Sequence, residues 1–272
     1  MLYSPILSII RILPLFIWTL FCASMQFICL LFGKKTVFIF YRLFFKGLVK
    51  IFGIKISTSG KIKEENVLYV ANHVSYTDIF LLGSLLDAFF VAKSEISKWP
   101  FISTLCRLGK TIFIDRESRL KAKNQVSVIK NNLEKGNNII LFPEGTSSDG
   151  KKVLPFKSSL LGTVELDPRK KFFLQPVSIT YIKLDGIPVD NKFRPFFAWF
   201  GKMDLISHAW KFLGLGLSEV KITFHKEKKF SSFLNRKEAT KYSFDCIASQ
   251  VAENYKLVEV ESKIKLYEFK YL

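Results

Sequence analysis

The chain has 272 residues, of which 49% are apolar and 15% aromatic, and its formal net charge at pH 7 is +18. This apolar content excludes an intrinsically disordered chain, and the length suits one domain of ordinary to large size. The glycines and prolines follow no fixed period, which excludes collagen-like and short-repeat architectures. The basic balance leaves two classes of partner open, nucleic acid and an anionic membrane surface.

The N-terminal part of the chain carries a long apolar run. No charged residue occurs over the 21 positions from Ile12 to Phe32, and a helix of this length reaches about 30 Å, the thickness of the bilayer hydrocarbon core. A cleaved signal peptide is the alternative, but the run exceeds the ~7–15 apolar residues typical of one. We therefore expect a retained membrane segment, and Lys34 and Lys35 after it indicate that its C-terminal side faces the cytoplasm.

The next segment, Thr36–Ile54, combines apolar residues with a basic stripe. Arg42, Lys46 and Lys50 recur every four residues between phenylalanines and leucines. This pattern is typical of a helix that lies along a membrane interface, with lysines reaching toward anionic headgroups. The alternative is a helix packed on the core of the domain itself. The four cysteines form no metal-type cluster and two lie in the apolar run, which favours a reducing compartment over a disulfide framework.

Short apolar runs alternate with helical stretches along the rest of the chain. The predicted strands are Val67–Ala71, Phe89–Ala92, Thr111–Ile114, Asn138–Phe142, Phe172–Ser178 and Lys221–His225. The predicted helices are Asp78–Leu86, Ile96–Arg107, Arg119–Lys135 and Lys237–Leu257. Such alternation predicts an α/β fold with a mostly parallel sheet covered by helices on both faces. Active sites of such sheets gather where strands end and loops begin.

The first candidate site is the segment Asn72–Asp78, directly after the first predicted strand. His73 and Asp78 are five residues apart, about 140° on an ideal helix, so they meet only if the segment is a turn that feeds a helix. A carboxylate then bonds one imidazole nitrogen and leaves the other able to accept a proton, as in acyl transfer. The alternative is a capping Asp beside an ordinary loop histidine.

The other histidines and the missing motifs narrow the chemistry. His208 and His225 have no comparable neighbours and are interpreted as structural. We expect no metal site, because neither HExxH nor CxxC occurs, and no serine nucleophile, because no Gly-x-Ser-x-Gly elbow is present. A base without a protein nucleophile suggests that a hydroxyl of the substrate itself attacks.

A second candidate site is the loop Phe142–Ser148, which follows another predicted strand. Gly145 permits backbone conformations that expose N–H groups, and Thr146 and Ser147 add hydroxyls, so the loop could bind an oxyanion or a phosphate. Glu144 would accept from a substrate hydroxyl or hold an arginine. Arg116, after the third strand, is the candidate partner for Glu144 or for a phosphate. The alternative is a tight structural turn.

These pieces together resemble a known family. The sequences NHVSYTD (72–78), FIDR (113–116), FPEGTSS (142–148) and QPVSI (175–179) are similar to the successive blocks of the glycerophospholipid acyltransferase family, most of all to its bacterial 1-acyl-sn-glycerol-3-phosphate acyltransferases. The resemblance implies a mostly parallel sheet flanked by helices, preceded by an N-terminal hydrophobic helical membrane-docking motif. It also implies membrane-anchoring helices over residues 1–56 and an acyltransferase domain over residues 57–272.

The resemblance further implies an activity and its site. A fatty acyl group would pass from a thioester of coenzyme A or acyl carrier protein to the sn-2 hydroxyl of lysophosphatidic acid, giving phosphatidic acid without a cofactor. His73 would be the general base and Asp78 its orienting carboxylate. The substrate-binding residues would be Asn72, Arg116, Glu144, Gly145 and Thr146. The expected partners are the lysophospholipid, the acyl donor and an anionic membrane surface at the cytoplasmic face, with no nucleic acid.

Two alternatives remain open from the sequence. The acceptor could be glycerol-3-phosphate, a lyso-ornithine lipid or a lysocardiolipin-type lipid, because the motifs are common to the family. The chain could instead be a non-catalytic basic protein that binds a membrane surface or nucleic acid, although His73, Asp78 and Glu144 together argue against this reading.

Overall fold

The computed structural model describes residues 3–32, 37–114, 119–166 and 171–270. Within these ranges the α-helices are α1 (Pro5–Leu31), α2 (Val37–Ile51), α3 (Thr77–Leu85), α4 (Ile102–Leu108), α5 (Arg119–Glu134), α6 (Leu205–Leu213) and α7 (Arg236–Lys270). The strands are β1 (Ile54–Ser59), β2 (Val67–Ala71), β3 (Ala88–Lys93), β4 (Ile112–Ile114), β5 (Asn138–Leu141), β6 (Phe173–Leu184), β7 (Ile187–Pro188), β8 (Ser218–Phe224) and β9 (Lys228–Lys229).

The strands of the described residues form one mostly parallel sheet. Its order is β1-β8-β6-β2-β5-β3-β4, and the short strands β7 and β9 add to β6. Neighbouring strands along this order run parallel except β6 and β8, which pair antiparallel. The prediction of an α/β fold with a mostly parallel sheet flanked by helices, after an N-terminal apolar helix, is confirmed.

Strand β2 illustrates why the sheet has a core on each face. Its five residues are all buried, and successive side chains of a strand point to opposite faces. Tyr69 and Ala71 join the cluster under α2, α3 and α6, whereas Leu68 and Val70 join the cluster under α5 and α7. A continuous apolar run is therefore what a central parallel strand requires.

One predicted helix is interrupted in the structure. The sequence pattern predicts a helix over Ile96–Arg107, but a 3₁₀ segment over Ser94–Lys98 ends before α4 begins at Ile102. The cause is Pro100, because the residue before a proline is disfavoured in the helical region. Trp99 accordingly has extended backbone, with φ −78° and ψ 124°.

Helix α2 has two different faces. Tyr41, Phe45 and Leu48 are buried in the core. This face of α2 therefore packs on the domain itself, which is the alternative to a membrane interface. Lys46 and Lys50 lie on the opposite face and are exposed. Contact of this basic face with a membrane, and the domain boundary at residues 56 and 57, stay predictions.

Helix α1 buries two polar side chains and has many of its large apolar side chains outside. Ser8 and Gln26 are buried, whereas Leu13, Phe16 and Phe27 are each more than 60% exposed. Among the described residues, α1 is the one helix long and apolar enough to cross a membrane, with a mean hydropathy of 2.2. This inverted arrangement suggests membrane anchoring, because an outward apolar face is stable against lipid and costly in water.

The polar side chains of α1 bind the C-terminal ends of two other helices. Arg11 donates to the carbonyl oxygens of Leu213 and Leu215, at 2.9 and 2.7 Å, where α6 ends. Gln26 donates to the carbonyl of Leu108, at 3.3 Å, where α4 ends. Helix C-termini leave carbonyls without intrahelical partners, so these contacts fasten α1 along α6 and α4.

Candidate active site

The candidate site lies at one edge of the sheet, where two parallel strands end. Strands β2 and β5 are neighbours, with Val70 opposite Leu141. The turn at 72–78 leaves β2 and the turn at 142–148 leaves β5, so their residues meet at the carboxyl edge of the sheet. Open α/β sheets place their ligands at this edge.

The imidazole of His73 contacts the carboxylate of Asp78. The distance from His73 Nδ1 to Asp78 Oδ2 is 2.9 Å. An ionised carboxylate only accepts hydrogen bonds, so Nδ1 carries the proton and Nε2 is left as the basic nitrogen. The His73 ring stacks on Phe142, with 4.2 Å between ring centroids, and its side chain is 18% exposed. The ring is thus held on two sides and remains accessible.

Asp78 is fully buried and is held by several donors. It lies in the first turn of α3, and its Oδ2 also accepts from the backbone N–H groups of Val74 and Ser75, at 2.7 and 2.9 Å. The turn therefore closes around the carboxylate before the helix begins, which is the local geometry the His73–Asp78 spacing requires.

The second oxygen of Asp78 accepts from a residue that sequence reasoning missed. The hydroxyl of Tyr181 on β6 donates to Asp78 Oδ1 at 2.8 Å, and Thr77 Oγ1 lies 2.6 Å from the same hydroxyl. Since the Tyr181 proton is directed at Asp78, Thr77 is the donor to Tyr181. Burial raises the pKa of Tyr181 well above its usual value, so the phenol remains a donor.

Glu144 joins the two turns through the backbone. One carboxylate oxygen accepts from the N–H of His73 at 2.6 Å and the other from the N–H of Leu154 at 2.8 Å. Burial raises the pKa of Glu144 to about 8, while these two donors act in the opposite direction. Both oxygens are therefore engaged within the protein, and a contact between Glu144 and the substrate stays a prediction.

The remainder of the second turn is built on Gly145. Its φ is +77°, a left-handed conformation that glycine adopts without the cost of a Cβ. Its N–H bonds the carbonyl of Phe142 at 3.2 Å, and the N–H of Ser148 bonds the carbonyl of His73 at 2.8 Å. The side chain of Thr146 in this turn is exposed.

The other two predicted substrate-binding residues differ in what the structure says of them. Asn72 is buried, and its amide donates to the carbonyl of Ile179 at 3.0 Å and accepts from the N–H of the same residue at 2.8 Å. It therefore ties the end of β2 to β6, and a substrate contact stays a prediction. Arg116 lies outside the described residues.

The two remaining histidines lie in other environments. His208 Nδ1 is 3.2 Å from the Tyr76 hydroxyl, and His225 Nε2 is 2.7 Å from Ser178 Oγ. Burial lowers the pKa of both. Within the part of the chain that the structure describes, no group of three or more His, Cys, Asp or Glu side chains is placed to hold a metal ion.

Comparison with known families and relatives adds the chemistry that this geometry serves. The sequence profile of a family described as "Acyltransferase" matches residues 53–180, which include both turns and most of β6. A lyso-ornithine lipid O-acyltransferase of Rhizobium meliloti is 35% identical over 196 residues, which cover 70% of this chain and 67% of that protein. One of Brucella abortus is 37% identical over 66% of this chain and 70% of that protein.

Two further matches carry a different acceptor in their names. A 1-acyl-sn-glycerol-3-phosphate acyltransferase of Neisseria gonorrhoeae is 34% identical over 108 residues, which cover 40% of this chain and 42% of that protein. The crystal structure of a 1-acyl-sn-glycerophosphate acyltransferase from Thermotoga maritima has a TM-score of 0.61 and 25% identity, covering 90% of this chain and 97% of that one.

The sheet, the His73–Asp78 pair and these matches define the class of protein: the chain belongs to the acyltransferase family. It is an acyltransferase of lysolipids.

Proposed function

We propose that the chain transfers a fatty acyl group from an acyl thioester to the hydroxyl of a lyso-ornithine lipid. The observation that carries the chemistry is the 2.9 Å contact between His73 Nδ1 and Asp78 Oδ2, which leaves a basic nitrogen on an accessible ring. The acceptor is taken from the relatives that match about two thirds of this chain at 35–37% identity. It replaces lysophosphatidic acid, which the sequence motifs favoured.

The reaction needs one proton to move twice. His73 Nε2 takes the proton of the lipid hydroxyl as its oxygen attacks the thioester carbonyl, and a C–O bond forms. The tetrahedral intermediate then collapses, the C–S bond breaks, and the leaving thiolate takes the proton back from His73. The backbone N–H groups of Thr146 and Ser147 are the proposed donors to the oxyanion, since those of Gly145 and Ser148 bond the carbonyls of Phe142 and His73. No covalent acyl-enzyme forms, because the nucleophile belongs to the substrate.

Asp78 and its donors act on the base rather than on the substrate. The carboxylate fixes the imidazole tautomer and stabilises the imidazolium that forms during the attack. Tyr181 is a positioning residue in this scheme, since its hydroxyl fixes Asp78 from the side opposite His73. Glu144 has a similar role for the backbone at His73.

The second candidate acceptor is lysophosphatidic acid. It is favoured by the relatives and the solved structure whose names carry that acceptor, although the sequence match to the Neisseria gonorrhoeae protein covers only 40% of this chain.

The exposed basic face of α2 and the outward apolar face of α1 support a membrane-anchored enzyme whose anionic lipid partner lies at the cytoplasmic face. The acyl donor is a thioester of coenzyme A or acyl carrier protein.

A side-by-side assay tests the acceptor. The purified full-length protein in vesicles receives lyso-ornithine lipid, lysophosphatidic acid or glycerol-3-phosphate, each with acyl-CoA and with acyl carrier protein thioester. We expect the highest kcat/KM with lyso-ornithine lipid. A higher kcat/KM with lysophosphatidic acid would establish the second candidate instead, and transfer to none of them would end the proposal.

A further inference from the structure

A strained turn carries an exposed aromatic side chain at the beginning of α4. Phe101 has φ +60° and ψ −52°, and the N–H of Ile102 bonds the carbonyl of Pro100 at 2.6 Å. These values define a γ-turn of the rare, strained kind, and a bulky residue in it is a true outlier. The Phe101 side chain is 86% exposed, so no packing contact of the described residues explains the strain. Strain of this kind concentrates at functional sites.

This turn is connected through aromatic contacts to the segment that carries His73 and Asp78. Trp99 lies edge-on to Trp199 with 6.3 Å between ring centroids, and Trp199 lies 6.2 Å from the ring of Tyr76. The N–H of Trp199 also bonds the carbonyl of Val74 at 3.0 Å. The Pro100–Ile102 turn is therefore separated from the His73 turn by one layer of aromatic side chains.

Further exposed apolar and basic residues lie on the segment that follows Trp199, the residue in contact with Trp99. Trp199 Nε1 bonds the carbonyl of Met203, whose side chain is 40% exposed, and Ile206 at the beginning of α6 is 79% exposed. Lys98 and Lys202 are exposed immediately before the two apolar segments. Asp204, which lies between Met203 and Ile206 in the sequence, is the N-cap of α6 and accepts from the N–H of Ser207 at 2.8 Å.

Helices α4 and α6 are both hydrogen-bonded to α1, the helix that we expect to anchor the protein in the membrane. Gln26 bonds the last turn of α4, and Arg11 bonds the last turn of α6. The N-terminal ends of α4 and α6, where Phe101 and Ile206 lie, are brought together by the Trp99–Trp199 contact. The apolar N-terminal ends of α4 and α6 are therefore linked to α1 through these two helices.

We propose that the Pro100–Ile102 turn, with Met203 and Ile206, is a second contact with an anionic lipid surface, in which Phe101 inserts beside the active site. The proposal rests on the proposed function, because it explains how a lipid acceptor reaches His73 directly from the membrane. The occupant is a bilayer, since exposed aromatic residues insert at the headgroup level and neighbouring lysines bind anionic lipid. The strain in the turn holds the Phe101 side chain outward.

The first test does not depend on activity. Bromine atoms on lipid chains quench tryptophan fluorescence on contact, so Phe101→Trp and Leu234→Trp are compared in vesicles of phosphatidylglycerol and phosphatidylcholine, with wild type as background. Leu234 is the matched control, because it is 92% exposed and follows Phe233, which packs in the cluster on the opposite face of the sheet. We expect quenching of the tryptophan introduced by Phe101→Trp only. Equal quenching, or none, at both positions would overturn the proposal.

The second test uses Phe101→Gly, which removes the aromatic ring and relieves the backbone. Glycine takes positive φ freely, so the thermal unfolding midpoint should stay the same or rise. The rate on vesicle-borne acceptor should fall about tenfold because the inserted apolar ring is lost, whereas the rate on a short-chain acceptor dissolved as monomers should not change. Equal losses on both acceptors would mean that Phe101 touches the substrate and would overturn the membrane contact. If wild type transfers no acyl group, the proposed function fails, and the quenching comparison still decides the contact.

Discussion

The turns after β2 and β5 are adjacent, yet they use their residues in different ways. The turn after β2 presents a side chain, the His73 imidazole, and gives its partner Asp78 two backbone donors, while Tyr181 on β6 gives a third donor besides the imidazole. The turn after β5 directs its one carboxylate, Glu144, at backbone N–H groups on both sides. One turn is arranged for proton transfer, and the other fixes the position of the first.

This difference separates chemistry from support in two motifs that look equally catalytic in the sequence. A buried carboxylate is stable only where donors replace the water it loses. Asp78 accepts from three donors besides the imidazole, whereas Glu144 accepts from two backbone N–H groups and burial still raises its pKa to about 8. Of the two carboxylates, only Asp78 is hydrogen-bonded to the His73 imidazole, a group that can exchange a proton with a substrate. The expected effects of substitutions should therefore decrease from the base to the groups that hold it.

The largest effect is expected at the base. His73→Ala removes the proton acceptor, and positioning such a base contributes about 10²–10⁴-fold in rate. We expect kcat to fall by that factor, while vesicle flotation and the thermal unfolding midpoint remain close to wild type. Asp78→Asn, which keeps the shape and loses the charge, should lower kcat by a similar factor.

His225→Gln is the matched control, because it replaces a histidine of the same chain that lies away from the pair. It should keep most of the activity in the vesicle assay. A His73→Ala protein that remained fully active would contradict the assignment of the base.

The next effect tests the supporting turn. Glu144→Gln replaces one acceptor by an amide N–H₂ that faces a backbone N–H, so one of the two bonds to His73 and Leu154 is lost. A displaced His73 backbone should lower kcat about 100-fold, since a misplacement of about 1 Å has that effect. Activity is measured in vesicles, and Glu134→Gln on the exposed end of α5 is the control substitution.

Glu144 also makes a prediction about pH. Its folded-state pKa is raised from 4.5 to about 8 by burial, so its contribution to stability is fully present below about pH 4.5 and is lost as the pH rises toward 8. The expected loss in the free energy of unfolding is on the order of a few kcal/mol. Urea unfolding at pH 5 and pH 8 should show a smaller difference for Glu144→Gln than for wild type. An unchanged difference would show that Glu144 does not titrate in this range.

Much of the fold was accessible from the sequence because central strands are continuous apolar runs. Strand Val67–Ala71 lies where its pattern places it, and the strand predicted over Asn138–Phe142 ends one residue earlier, at Leu141. Strand β6 is longer than predicted, ending at Leu184 instead of Ser178, because its second half pairs with β8. Strand β1 was missed, since only Ile54 of it is buried and its parallel pairing with β8 spans most of the chain.

Part of the candidate site could be predicted from the sequence for a similar reason. The His73–Asp78 spacing states a local geometry, which a strand followed by a helix can satisfy. Glu144 holds the backbone through the N–H groups of His73, in the turn after β2, and of Leu154. These contacts are not visible in the sequence, which suggested a substrate contact instead. Tyr181 is 103 residues from Asp78 and reaches it only through the register of β6 beside β2.

The smallest effects are expected at Tyr181, which acts on the base only through Asp78, and at Thr77 behind it. Tyr181→Phe leaves the ring in its buried position and removes the hydroxyl that donates to Asp78 Oδ1, so we expect kcat to fall about tenfold with little change in KM. An Asp78 carboxylate with fewer donors attracts the His73 proton more strongly, so the half-maximal pH of kcat/KM should rise. Thr77→Val removes the hydroxyl behind Tyr181 and should produce the same changes at smaller size. A lower melting temperature without any change in the pH profile would mean that Tyr181 only packs the core, and the Tyr181–Asp78 bond would then have no part in setting the base.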